Sequence, residues 1–429
     1  MQRQGPRIYN LFPLLCGSVP QWKEHLPRIA AMGFDWVYVN PFHYPGFSGS
    51  LYAVKDYYRI HDLMWDGHSS LEDLLKDFCW RAGELGLSVM MDLVINHTSK
   101  DAVLTGEHPE WYMRESDGSL FSPRAIDPAD SRKVTVWGDL AEIDYRSPAN
   151  RAALTSYWGG MVGHFIDCGI RGFRCDAAYQ VPADVWSKLI AFARFKRDDT
   201  TFFAETLGCR LEQIGALRTA GFDYLFNSAK WWDFKSPWLL EQYDAFRRIA
   251  PSVAFPESHD TERLAGDFAK FGRAQVEKAC RQRYLFAAAF STGVMMPVGY
   301  EFGFRKKMDV VSTRPEDWEE PQFDLSDFIG AVNRMKAQIP MMNSEAPQRL
   351  VRFSHPALVG LLRRYEGEGP WALTVLNTDW NNARAGRIEG LDPDIAEGRE
   401  LTPGRQCRKL VVGESMTLEP CEARVFVNV

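Results

Sequence analysis

The most constraining feature of this sequence is a repeated alternation between short apolar runs and longer amphipathic stretches. This alternation is typical of strand–helix units built around a parallel sheet. Residues 70–86, for example, carry leucine, phenylalanine and alanine at helical spacing and end in glycine. Eight units predict an α/β fold, a closed (β/α)8 barrel with its functional residues at the carboxyl ends of the strands. The predicted strands are residues 8–15, 36–42, 87–97, 172–178, 201–206, 222–227, 253–260 and 294–301.

Two regions depart from this alternation. After the third predicted strand, about fifty residues rich in Gly, Pro, Ser and charge precede the next helix, too many for a simple loop. From about residue 345, alternating apolar segments separated by turn residues predict an antiparallel β domain. The predicted organisation is a barrel (1–97 and 147–344), a small inserted domain (98–146) and a C-terminal β domain (345–429).

The composition of the chain limits which binding partners and which cellular compartment are expected. The net charge is −6 without a long basic run, which argues against binding to nucleic acid or to an anionic membrane. No apolar run reaches the roughly 18 residues of a transmembrane helix. The apolar N-terminal stretch is short and interrupted by Pro13, so it is predicted to be a strand and not a signal peptide. Eight cysteines without a Cys-x-x-Cys pair predict free core thiols and favour the cytoplasm.

Polar residues concentrate where four of the predicted strands end. Each of them alone is more often a helix cap or an ion-pair partner, but together they would lie on one rim of the barrel. They are Asp92, Asn96 and His97 on the third strand, Arg174 and Asp176 on the fourth, Glu205 on the fifth, and His259 and Asp260 on the seventh.

This set fits the transfer of a sugar with retention of configuration. That chemistry needs two carboxyl groups about 5 to 5.5 Å apart, one as nucleophile and one as proton donor. Arg174 and Asp176 lie two apart on a strand, so the guanidinium can keep the carboxylate ionised, as a nucleophile requires. Neighbouring carboxylates would raise the pKa of Glu205, as an acid/base requires. The alternative is a buried Arg–Asp pair that serves only the fold.

Four segments, DLVINHTS (92–99), GFRCDAAYQV (172–181), FFAET (202–206) and ESHDTERL (257–264), resemble the signature regions of the α-amylase superfamily of glycoside hydrolases (family thirteen). Residues 49–60, 140–148 and 293–303 are similar to three weaker regions. The resemblance covers the whole barrel in order. It implies a catalytic barrel, a small domain inserted after the third strand, and a C-terminal β-sandwich.

By position, the resemblance implies a role for each motif residue. Asp176 would be the nucleophile, Glu205 the proton donor and then base, and Asp260 the third acid, which stabilises a cationic transition state. The remaining predicted substrate contacts, mostly around subsite −1, next to the cleaved bond, are Tyr52, His97, Arg174, His259 and Asp92. Trp231 and Trp232 would either stack on sugars or pack as core residues.

The sequence also departs from the family pattern. Tyr179-Gln180 stands where many α-amylases carry Lys-His, and Ser50 stands where a further histidine of subsite −1 is expected. The resemblance implies no required cofactor; Asn96 matches one calcium-ligand position, whereas the missing Lys-His argues against calcium.

The resulting prediction is a retaining α-glycosidase that acts on α-1,4-glucans or malto-oligosaccharides through a covalent glycosyl-enzyme intermediate. Residues 315–342 resemble the branch of maltosyltransferases that use a maltosyl phosphate donor, so an α-glucan or maltosyl transferase is the alternative. We favour hydrolysis, because no phosphate-binding motif surrounds the predicted site. A third hypothesis is a non-catalytic glucan-binding module.

Overall fold

The structure is a computed structural model that describes residues 4–126, 132, 134–365, 369–391, 395, 398–411 and 413–428. Parts of the predicted inserted and C-terminal domains therefore lie outside the described residues: 127–131 and 133 in the first, and 366–368, 392–394, 396–397, 412 and 429 in the second.

Eight parallel strands close into a barrel, as predicted. In chain order, β1 to β8 are Arg7–Leu11, Trp36–Val39, Ser88–Leu93, Gly172–Cys175, Thr201–Ala204, Tyr224–Phe226, Ser252–Ala254 and Gly293–Pro297. β1 pairs with both β2 and β8, which completes the ring. The strands are shorter than predicted, because the polar residues that follow them enter loops at the carboxyl end of the barrel, here called the mouth.

A helix follows each strand and covers the barrel from outside. These helices, α1 to α8, are Val19–Ala31, Leu71–Glu84, Pro148–Asp167, Ala183–Lys196, Leu211–Ala216, Trp238–Phe246, Arg273–Phe290 and Ser326–Gln338. In α2, Ser70 accepts a hydrogen bond from the amide of Asp73, and Gly86 takes a φ of 75° just beyond the helix. Short α-helices occur at Pro13–Cys16, Val103–Glu107 and Leu264–Asp267.

The barrel is filled by side chains. One apolar cluster inside the ring contains Ile8, Tyr38, Met90, Phe203, Tyr224, Phe226, Val253, Phe255 and Met295. A larger cluster lies between the strands and the helices. Five of the cysteines are buried, Cys79 and Cys209 are partly buried, and Cys407 is exposed. All eight are free.

Between β3 and α3 the chain leaves the barrel, which confirms the predicted insertion. His97–Ser99 pairs antiparallel with Leu140–Glu142, so the insertion begins and ends side by side. Arg124–Ile126 and Val134–Val136 form a second antiparallel pair further out. A third small pair, His43–Pro45 with Val54–Ile60, lies in the connection after β2.

The C-terminal part is antiparallel β structure, as predicted. Its strands, β9 to β15, are Gln348–Phe353, Leu358–Arg364, Trp371–Asn377, Arg384–Glu389, Arg399–Glu400, Ser415–Leu418 and Ala423–Val427. They form one continuous sheet in the order β13-β15-β11-β10-β9-β12-β14. Strands from both ends of this sheet contribute to a single apolar cluster, so the sheet curves around its own core.

Two buried cations connect the end of α7 to the rest of the molecule. Lys336 donates to the carbonyl oxygens of Ala288 and Ser291. Arg363, from β10, donates to those of Ala289 and Phe290. These carbonyls lie at the helix C-terminus, where they lack intrahelical partners and the helix dipole favours positive charge. Within the described residues, no helix combines the length and the apolar character needed to cross a bilayer.

Candidate active site

Arg174 connects two acids at the mouth of the barrel. The register of β3 and β4 places Asp92 directly beside Arg174. Nη1 of Arg174 donates to Oδ1 of Asp92 over 2.8 Å and to Oδ1 of Asp176 over 2.6 Å. The side chains of Arg174 and Asp92 are 6% and 0% exposed, so this charge is fixed and poorly screened. Asp176, the predicted nucleophile, is thereby held at the end of β4.

Asp92 is fully buried and holds other residues of the site in position. Burial raises the pKa of Asp92, and the positive charge of Arg174 offsets only part of this effect. Its Oδ2 accepts hydrogen bonds from Tyr38 over 2.5 Å and from Tyr52 over 2.7 Å. Asp92 was predicted as a substrate contact; its side chain is 0% exposed, and its hydrogen bonds are to other residues of the site.

Tyr38 and Asn40 belong to this network but were not predicted. Asn40 donates to the hydroxyl oxygens of Tyr38 and Tyr52, each over 3.1 Å. Asn40 also accepts a hydrogen bond from Asn10, deep in the barrel. The signal was present in the sequence, because Tyr38 lies in the predicted strand 36–42 and Asn40 follows it by two residues, which places both side chains on the same face.

Tyr52 connects this network to His259, which lies in the loop after β7. Its hydroxyl lies 2.7 Å from Nε2 of His259, and the two rings stack at 5.7 Å with 7° between their planes. The same Nε2 lies 3.1 Å from Oδ2 of Asp260. Contacts therefore connect Asp176 to Asp260 through Arg174, Asp92, Tyr52 and His259, and the predicted residues of three strands meet at one place.

Glu205 is held by the backbone on both sides. Oε2 accepts from the amide of Ala177 over 2.9 Å and Oε1 from the amide of Leu207 over 2.6 Å. Burial raises the pKa of Glu205 to about 7, and the charge of Asp176 acts in the same direction against the opposing effect of Arg174. Glu205 is thus joined by a hydrogen bond to Ala177, the residue after Asp176, and its raised pKa suits a group that carries a proton.

Asp260 has the opposite electrostatic environment. Its side chain is 54% exposed. The surrounding protein acts to raise the pKa of Asp260, but His259 and Arg174 outweigh this effect and lower the pKa to about 2. Glu205 therefore holds its proton to a higher pH than Asp260, so the two acids of one site differ in the direction that acid catalysis and charge stabilisation require.

His97 and Asn96 lie at the start of the insertion. Nε2 of His97 lies 3.2 Å from the carbonyl oxygen of Tyr52, and burial lowers the pKa of His97. Oδ1 of Asn96 is buried without a hydrogen-bond partner. Across the described ranges, no group of three or more His, Cys, Asp or Glu side chains is arranged to hold a metal ion.

The two predicted tryptophans have different environments. Trp231 is 50% exposed and meets Phe255 edge-on at the mouth, with the ring centroids 6.2 Å apart. Trp232 is 1% exposed and stacks on Phe286 of α7. Its Nε1 donates to the carbonyl oxygen of Ser236. Trp232 therefore packs as a core residue, and only Trp231 is available to a sugar.

Comparison with known proteins agrees with this architecture. Residues 5–117 match the model of the glycogen debranching enzyme glucanotransferase domain. An α-1,4-glucan:maltose-1-phosphate maltosyltransferase of Burkholderia pseudomallei is 30% identical over 409 residues, which cover 93% of this chain and 34% of the relative. A maltosyltransferase of the same name from Methylacidiphilum infernorum is 24% identical over 90% of this chain and 61% of the relative. The chain thus spans a third to three fifths of the length of these relatives.

Among solved structures, a noncanonic maltogenic alpha-amylase from Thermotoga neapolitana superimposes with a TM-score of 0.76. The two sequences are 22% identical, and the match covers all of both chains. At this identity the superposition shows a common fold.

The fold and the site define a closed (β/α)8 barrel with an acidic cluster organised by one buried arginine at its mouth. The signature segments resemble those of the α-amylase superfamily, glycoside hydrolase family thirteen. The matched family model and the sequence relatives agree with this resemblance, so the chain is similar to this superfamily and to its maltosyltransferases.

Proposed function

We propose that this protein is a retaining α-glucan transferase that cleaves an α-1,4 linkage and passes the glycosyl group to a second sugar chain. The observation that carries the proposal is the geometry of the acids: side-chain contacts connect Asp176 to Asp260, and Glu205 accepts a hydrogen bond from the amide that follows Asp176. A fixed Asp176, a carboxyl group whose pKa is raised and a third acid whose pKa is lowered are the groups that retaining transfer needs.

In the first step, a carboxylate oxygen of Asp176 attacks the anomeric carbon of the donor. The bond from this carbon to the linking oxygen breaks, and the proton of Glu205 passes to that oxygen, which leaves as a hydroxyl. The cationic character of the transition state is stabilised by ionised Asp260. Arg174 orients Asp176 before the attack through the hydrogen bond to its Oδ1.

In the second step, the hydroxyl of an acceptor sugar attacks the same carbon. The bond to Asp176 breaks, and Glu205, now ionised, takes the acceptor proton. Two inversions at one carbon restore the α configuration. If water is the acceptor, the same two steps give hydrolysis.

The relatives favour transfer over the hydrolysis that the sequence alone favours. The matched family model is that of a glucanotransferase domain, and the sequence relatives are named maltosyltransferases. The amylases among the structural neighbours share the fold at low identity and therefore support the chemistry without deciding the acceptor.

Chain-length analysis of maltoheptaose digests tests the proposal. We expect shorter and longer chains together, at a nearly constant number of reducing ends, because transfer conserves the number of linkages. Shorter chains only, with reducing ends rising in proportion, would establish a hydrolase instead. Parallel reactions with a maltosyl phosphate donor, followed by phosphate release, test whether the donor is that of the maltosyltransferase relatives.

A fluorinated maltosyl fluoride that accumulates the intermediate tests the residue assignment. Peptide mass analysis is expected to find the adduct on Asp176 and none in Asp176→Asn. Conversely, turnover that survives in Asp176→Asn would remove the nucleophile from the scheme, and absence of turnover in the native chain on all donors would favour the glucan-binding module.

A further inference from the structure

A groove at the opposite end of the barrel from the acids has the composition of a sugar-binding surface. It has a volume of about 570 Å³, within the range of roughly 300–1,000 Å³ that holds compact organic ligands. The groove lies between the end of α2 and the end of α3, above the starts of β3 and β4. Its lining includes Trp80, Lys76, Glu84, Asp167, Arg171 and Arg197.

Trp80 is the main feature of this groove. Its side chain is 63% exposed, although the ring could have packed inward like that of Trp158 or Trp186. An exposed indole beside polar groups offers a flat apolar face together with an N–H donor. The apolar face of a pyranose ring fits such a platform.

The polar groups around Trp80 carry both signs and are held in place. Arg197 donates to Asp199 over 2.9 Å, and Arg171 pairs with the same carboxylate. Lys196 pairs with Asp167 over 2.7 Å. A sugar hydroxyl is both a donor and an acceptor, so a lining with carboxylates and cations suits a neutral polyol better than an ion of either charge.

The floor of the groove leaves room for a chain. A Cβ atom added to Gly83 or Gly86 would meet no atom within 4 Å. Gly83 is inside α2, where glycine is unfavourable by about 1 kcal/mol relative to alanine. Side chains could therefore be introduced at Gly83 or Gly86 without a clash.

We propose that this groove is a second binding site for a malto-oligosaccharide segment, with Trp80 stacking on a glucosyl ring. The choice of ligand rests on the proposed function, since the polymer that the acids would process is long enough to be held at both ends of the barrel. The groove would retain the enzyme on a long glucan without taking part in the chemistry.

Calorimetric titration of Glu205→Gln with maltoheptaose tests the site, because this variant binds without turnover. We expect two binding events for Glu205→Gln and one after Trp80→Ala is added, or a loss of at least tenfold in the affinity of the second event. Gly83→Gln, which fills the groove and suits a helix, should have the same effect. Phe195→Ala is the control, because Phe195 is 91% exposed on α4 outside the groove.

In the active enzyme, Trp80→Ala should lower the rate on amylose several-fold and leave kcat/KM for maltotriose unchanged. A single binding event in Glu205→Gln, or affinities that do not change with Trp80→Ala and Gly83→Gln, would overturn the site. Competition by inorganic phosphate at the groove would also overturn it and indicate an anion site. If the enzyme transfers glycosyl groups but the titration shows one binding event, only the groove proposal fails. If the groove binds maltoheptaose but no transfer is detected, only the proposed function fails.

Discussion

The amide N–H of Ala177 donates a hydrogen bond to Oε2 of Glu205 over 2.9 Å, while Ala177 itself holds a left-handed φ of 39°. A non-glycine residue in this region costs about 1–2 kcal/mol, and such strain is concentrated at functional sites. The strained turn directs the residue that follows Asp176 towards Glu205. The predicted nucleophile and acid are therefore coupled through the backbone.

Glu205 should set the alkaline limit of activity. Its pKa is raised to about 7, so it carries the catalytic proton below that pH and loses the proton as pH rises. We expect kcat/KM to fall on the alkaline side with an apparent pKa near 7. Glu205→Gln should lower kcat by at least 10³-fold and abolish this limb, because it cannot cycle a proton. Glu212→Gln, on exposed α5, is the control. If kcat/KM of Glu205→Gln still fell on the alkaline side near pH 7, the assignment would be contradicted.

The same pKa predicts a dependence of stability on pH. The folded state keeps the proton of Glu205 between 4.5 and about 7, where the unfolded chain has lost it. The contribution of Glu205 to stability is therefore complete below 4.5 and is lost as pH rises through 7. Urea unfolding at pH 5 and pH 8 should show that Glu205→Gln is more stable than the native chain at pH 8 only. An equal difference at both pH values would argue against the raised pKa.

Removal of Arg174 should damage both stability and activity. Arg174→Ala leaves Asp92 buried beside Asp176 without its cation, and a buried pair broken in this way typically costs 3–5 kcal/mol. Arg174→Lys should recover part of the stability but little of the rate, since one ammonium cannot reproduce the planar geometry of the guanidinium. Denaturant unfolding and kcat measure the two effects. Lys188→Ala, from an exposed pair with Asp184, should change unfolding by less than about 1 kcal/mol.

Tyr52→Phe should separate the hydroxyl network from the aromatic stacking. The variant keeps the ring beside His259 but removes the hydroxyl that contacts Asp92, His259 and Asn40. We expect a cost of about 1–3 kcal/mol for the unsatisfied partners and a fall in kcat, because Asp260 is reached through His259. Tyr58→Phe, at a 42% exposed tyrosine, is the matched control. Equal stability and kcat in the two variants would show that the network has no role.

The barrel was predictable because its alternation of strands and helices is a local property of the chain. Arg174 and Asp176 could be assigned together because residues two apart on a strand share a face. The same rule applies to Tyr38 and Asn40, but their strand reads as an apolar run, so their contacts with Asp92 and Tyr52 became visible only in three dimensions. Long-range contacts of this kind depend on strand register, which the sequence does not encode locally.

Side-chain direction in the loops was less predictable. Trp231 and Trp232 are adjacent, and sequence reasoning treated them alike. The 3₁₀ turn Ala229–Trp231 ends between them, so Trp231 faces the mouth while Trp232 enters the core beside α7. Similarly, alternating strands predicted the C-terminal β domain, whereas the order of its seven-stranded sheet follows from pairings distant in sequence.

The two tryptophans should respond differently to truncation. Trp232→Ala leaves a cavity against Phe286 and should cost about 3–5 kcal/mol of unfolding free energy, as is usual for a large buried aromatic residue. Trp231→Ala removes a half-exposed ring and should leave stability within about 1 kcal/mol. If Trp231 stacks on the acceptor sugar, its loss should raise the KM for the acceptor about tenfold.

Initial rates of transfer from maltoheptaose to labelled glucose, measured at varied acceptor concentration, distinguish these effects. A Trp231→Ala enzyme with an unchanged acceptor KM and native stability would place the acceptor elsewhere at the mouth. A fall in the ratio of transfer to hydrolysis is also expected, because a weakly held acceptor competes less well with water for the intermediate on Asp176. The roles of Trp231 and Trp232 can therefore be tested separately by single substitutions at these two neighbouring positions.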